Sequence, residues 1–115
     1  MSVHEQFFNF SSKDDEIMIQ YAAEDLLRKK FFGARLNYKE TGIMISWHVI
    51  EQARKGKSVR QIIDSSRKLL TANDVMFGVP EILQKVIVNV RFKDGRRRQV
   101  VVENPIKPEE VRDLV

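Results

Sequence analysis

Between Tyr38 and Lys55 the sequence is apolar around most of a helix. Ile43, Met44, Ile45, Trp47, Val49, Ile50 and Ala53 leave only a narrow polar strip of His48, Glu51, Gln52 and Lys55. A helix with so little polar surface belongs in the middle of a fold, and every other element has to be arranged to cover it. Asn37 suits the start of this helix and Gly56 its end. The expected cover is partly the other helices and partly another chain.

The remaining elements follow from caps and periods. An earlier helix is expected from Ser11 or Ser12, with Asp14, Asp15 and Glu16 at the positive end of its dipole and Arg28 to Lys30 at the other. Ile19, Ala22, Ala23 and Leu26 form its dry stripe, and Gly33 ends it. Ser58 with Gln61 reads as a capping box, and Val59, Ile62, Ile63, Ser66, Leu69 and Leu70 keep helical spacing after it. Thr71 with Asp74 marks a new short turn. Gly78 and Pro80 then redirect the chain, and Val75, Met76, Val79 and Ile82 are expected to pack between helices and strands.

Val86 to Phe92 alternates and Val100 to Val102 is β-branched, so a hairpin closes the fold. With Gly95 left-handed in a three-residue loop, Phe92 faces Arg96, Val88 faces Val100 and Val86 faces Val102. A two-residue Asp-Gly turn scatters those valines over both faces, which favours the longer loop. A hairpin alone is marginal in water and has to lie on the helices or join another sheet. Residues 1–9 show no period and are expected as an N-terminal extension, 10–106 as the domain, and 107–115 as a C-terminal tail.

Read together, Leu36-Asn37-Tyr38, Ala53-Arg54-Lys55-Gly56, Leu70 to Met76, Gly78-Val79-Pro80-Glu81 and Asp94-Gly95 with Asn104-Pro105-Ile106 resemble the gamma subunit of urease in order and spacing. The resemblance runs from about Phe10 to Ile106. It implies a non-catalytic subunit of a hydrolase that splits urea into ammonia and carbon dioxide. It also implies beta and alpha partner subunits in a trimer of heterotrimers, with two nickel ions in the alpha subunit and none here. Lys39, Thr41, Gly42, Phe77 and Glu103 depart from the family, which usually has proline, small apolar residues, an acidic or small residue, and histidine at those places. Ser66 replaces a usual glycine. Gly42 inside a helix costs ~1 kcal/mol relative to alanine, and Phe77 is a candidate anchor for an altered partner.

The residues themselves offer no catalytic set. The chain has 115 residues, two histidines and no cysteine, so it can build neither a thiolate site nor, alone, a binuclear nickel centre. His4 and His48 lack a second histidine at helical spacing. Asp14, Asp15, Glu16, Asp74, Glu109 and Glu110 stand where helix starts want negative charge, and no phosphate loop or nucleophile motif is present. Arg96, Arg97 and Arg98 with Phe92 are the best argument for nucleic acid. A net charge of +4 and strand alternation, which divides the arginines between two faces, weigh against it.

The sequence reading is an α+β fold: a bundle of three main helices and a short fourth, followed by a C-terminal β-hairpin. Trp47, Ile50, Met76, Phe77, Val79 and Phe92 are the expected packing or subunit-contact residues. No apolar run is long enough for a membrane span and the start lacks a signal-peptide pattern, so a cytoplasmic location is expected. The alternative function is a free-standing module with the same fold that binds protein or nucleic acid.

Overall fold

The computed structural model describes residues 4–106. Strand β1 (Glu5–Asn9) is followed by α1 (Lys13–Phe31), α2 (Tyr38–Arg54), α3 (Val59–Ser66), a 3-10 turn (Ala72–Asp74), α4 (Val79–Ile82), β2 (Lys85–Arg91) and β3 (Arg97–Glu103). The architecture is α+β, helices on one side of a three-stranded sheet. Each main helix begins at its sequence-encoded cap. Ser12 accepts from the Asp15 amide at 3.2 Å, Asn37 and Glu40 bond each other's amides, and Ser58 and Gln61 do the same. Each reciprocal pair satisfies two amides that a helix start leaves open.

Helix α2 lies on β2 with α1 and α3 beside it, and α3 also reaches β3. Two ion pairs hold α1 antiparallel to α2: Lys29 to Glu40 at 2.7 Å and Arg54 to Glu16 at 3.6 Å. Met44, Ile45, Val49, Ile50 and Ala53 are buried among Leu26, Leu36, Ile62, Val86, Val88 and Val100. Each such side chain contributes about 1.5–3 kcal/mol of burial. The buried hydroxyls of Thr41, Ser46 and Ser66 all donate to backbone carbonyls three or four residues earlier, at 2.7, 2.9 and 2.6 Å, Thr41 to that of the cap residue Asn37.

The hairpin takes the longer loop. Phe92 donates its amide to Arg96 O at 2.8 Å, the Gly95 amide donates back to Phe92 O at 2.9 Å, and Gly95 has φ +85°. Val86 therefore lies opposite Val102 and Val88 opposite Val100, all four buried. The hairpin does not stand by itself. Residues 5–9, which carry no period, pair parallel with β2 in the register Phe7 to Ile87 and Phe8 to Val88. Gln6 and Phe8 turn to the helices, so only part of this short strand is dry and no alternation is visible in its sequence.

Two further expectations are corrected. Helix α3 stops at Ser66 although Leu69 and Leu70 keep its spacing. The amides of Lys68 and Leu69 bond the carbonyls three residues back, which tightens the last turn, and Leu70 is buried from the loop. In the elbow, Val75 and Val79 are buried, whereas Met76 and Ile82 are each 45% exposed. Leu36 and Val75 form an isolated parallel bridge, in which Leu36 N donates to Asp74 O at 3.0 Å and Met76 N to Leu36 O at 2.8 Å. Extended backbone alternates its side chains, so Val75 inward sends Met76 outward. Leu83, fully buried, fills the place expected of Ile82. The tail at 107–115 lies outside the described residues.

Candidate subunit-contact surface

Histidines and carboxylates are dispersed. Among the described residues no three of His, Asp or Glu converge as a metal site. His4 approaches Ile82 O through Nδ1 at 3.1 Å, far along the fold from His48, whose Nε2 is 2.8 Å from Ser65 Oγ. Ser65 spends its one hydroxyl proton on Ile62 O at 3.1 Å, so Nε2 of neutral His48 is the donor. Burial, with a contribution from Lys55, lowers the pKa of His48 against the opposing pull of Glu51. Both observations describe a structural imidazole held neutral inside the helix layer.

Three carboxylates, Asp74, Glu40 and Asp15, are occupied at caps. At Asp74 burial opposes ionisation, but the Thr71 amide (2.7 Å), the Thr71 hydroxyl (3.1 Å) and Lys30 (3.3 Å) outweigh it and hold the pKa down. At Glu40 the Asn37 amide and then Lys29 do the same. Asp15 bonds Ser11 through both its amide and its hydroxyl. The arginine run is similarly engaged. Arg98 pairs with Asp94 at 2.7 Å and lies 4.8 Å over the Phe92 ring, while Arg97 donates to Asn9 Oδ1 at 2.8 Å.

The six expected contact or packing residues divide by position. Ile50, Val79 and Phe92 are buried, the last beneath Arg98, and Trp47 is half-buried under Arg54 at 5.5 Å. Met76 and Phe77 face solvent, and Phe77 is fully exposed. Sequence periods gave no notice of Phe31 and Phe32, which are 85% and 82% exposed and meet edge to face with centroids 5.5 Å apart. The signal for them was present: two adjacent aromatics at a basic helix end cannot both turn to one dry stripe.

Phe31 and Phe32 lie at the same end of the molecule as the elbow. Lys30, next to Phe31, reaches Asp74, and the Leu36 bridge fastens the α1–α2 loop along residues 74–76. This end displays Phe31, Phe32, Met76 and Phe77 to solvent. Over residues 9–106 the sequence matches the family described as urease, gamma subunit, and with nearly all of the described fold inside that span the chain belongs to the urease gamma-subunit family.

Proposed function

We propose that this chain is the structural, non-catalytic gamma subunit of a nickel-dependent urease in the cytoplasm. In this reading it assembles with beta and alpha subunits in a trimer of heterotrimers and leaves the hydrolysis of urea to the alpha subunit. Family membership makes the chain part of a hydrolase. The observation that carries the architectural role is the exposed aromatic end, Phe31, Phe32 and Phe77, on a chain whose Asp15, Glu40 and Asp74 carboxylates are engaged at caps. Solvent contact at these rings leaves apolar area open that a partner surface would cover, at about 25 cal/mol per Å².

Nickel, which the family implies for the catalytic subunit, finds no fitting ligand set among the described residues. His4 and His48 are separated, and Asp74 and Glu40 already hold lysines. What the chain contributes is a rigid contact surface. The test is co-expression with beta and alpha chains from the same source, followed by sizing and mass analysis. Elution as one large complex, with nickel and urea hydrolysis tracking the alpha chain, is the expected result. A chain that elutes alone and ignores both partners would refute the reading and leave the free-standing module.

A further inference from the structure

Strand β1 is an edge, and among the described residues no strand pairs with its outer side. His4 O accepts from the Lys85 amide and the Phe10 amide donates to Asn89 O. In a parallel ladder the residues facing the partner alternate, so the even positions of β1 face β2 and the amides and carbonyls of Glu5, Phe7 and Asn9 face outward. Native edges are ordinarily guarded by lysine, proline or a bulge. The sequence of β1, Glu-Gln-Phe-Phe-Asn, contains neither lysine nor proline and pairs with β2 without a bulge. Two hollows of about 400 and 430 Å³ flank this edge, one between Phe7, Phe8 and Met18 of α1, the other between Phe7, Tyr38 and Ile43 of α2. Both are apolar-walled, and Met18 is 72% exposed.

The edge is also complementary to itself. On the face turned from the helices, Phe7, Ile87 and Val101 make one apolar row across the three strands, with Glu5, Lys85 and Glu103 on one side of it and Asn9, Asn89 and Gln99 on the other. We propose that β1 pairs antiparallel with β1 of a second copy of this chain, about a two-fold axis at Phe7, joining the two sheets into one. This register sets Phe7 against Phe7 of the copy and Glu5 against Asn9, so the pairs formed by outward-facing residues are hydrogen-bonded and the Gln6–Phe8 pairs between them are not. The Glu5 carboxylate, which Lys85 of its own chain approaches loosely at 3.8 Å, then also lies beside Asn9 of the copy, whose Oδ1 holds the Arg97 guanidinium, so acidic and basic groups alternate at both ends. Four of the five β1 residues precede the family match, which begins at residue 9. The edge thus lies almost wholly outside the span that carries the family match.

The experiment is a sedimentation series on the full chain from about 10 μM to about 1 mM, a range that reads weak dimers. The mass is expected to rise toward two chains, and hydrogen exchange at Glu5, Phe7 and Asn9 to slow with concentration. Phe7→Pro removes an outward amide and leaves the β2 ladder intact, and it should weaken association at least about tenfold. Glu5→Arg, which also exchanges the 3.8 Å pair with Lys85 for a like-charge contact, should weaken it too, and adding Arg97→Glu should restore it. A chain monomeric throughout, a dimer that Phe7→Pro and Glu5→Arg both leave unchanged, or a double variant that stays weak overturns the proposal. So does a monomer whose Phe7→Pro form only loses the ability to join beta and alpha chains, because the edge then serves a partner's strand.

Discussion

The Gln6 carboxamide occupies the space that a side chain at Gly42 would fill, and from there it donates to Tyr38 O at 2.8 Å. A glycine that looks like a helix defect in the sequence is thus the seat of a residue from β1. In the wild-type chain, Gly42→Ala should change stability little, because the helix gain of ~1 kcal/mol is offset by displacing Gln6 and losing a bond worth about 1 kcal/mol. In a Gln6→Ala background the same substitution should stabilise by about 1 kcal/mol. Chemical denaturation of the four forms measures the coupling, and equal effects in both backgrounds would rule out the steric account.

Asp74 joins three segments, and its loss should be felt in acid. Its folded pKa is lowered from 3.8, so the unfolded chain binds the proton more readily. The stabilisation is fully present above pH ~4 and disappears as pH falls through the lower folded value. Asp74→Asn should cost about 1 kcal/mol at pH 7 and flatten the stability profile below pH ~4. A variant with the same acid slope as wild type would show that the Thr71 and Lys30 contacts contribute nothing.

His48 carries the corresponding argument near neutrality. Its folded pKa lies below 6.5, because burial disfavours the imidazolium, so stability is fully present above pH ~6.5 and declines as pH falls through the folded midpoint. Proton NMR of the imidazole should place that midpoint under 6.5. Ser65→Ala should leave Nε2–H without its acceptor and destabilise the chain by about 1 kcal/mol. A midpoint at or above 6.5 contradicts this account.

Phe77 and Ile50 should behave oppositely. Ile50 is fully buried, and Ile50→Ala is expected to cost about 2–5 kcal/mol in the isolated chain. Phe77→Ala should alter folding stability by less than about 0.5 kcal/mol and yet reduce co-elution with beta and alpha chains. Thermal melts of both variants, with pull-down of partner chains, separate the two roles. Full retention of the partners by Phe77→Ala would remove this residue from the contact surface.

The sequence alone determined what is local. Asn37–Glu40, Ser58–Gln61 and Thr71–Asp74 place their turns because cap and amide are only three residues apart, and valine alternation with Gly95 fixes the hairpin register because a slip would turn the dry face to water. The tertiary structure decided what depends on distant partners: that residues 5–9 become a strand on β2, that Gly42 receives Gln6, that Leu83 rather than Ile82 turns inward, and that Phe31 and Phe32 stay outside. Those outcomes rest on contacts between segments tens of residues apart, and a local period cannot report which of several apolar side chains a distant surface has room to bury.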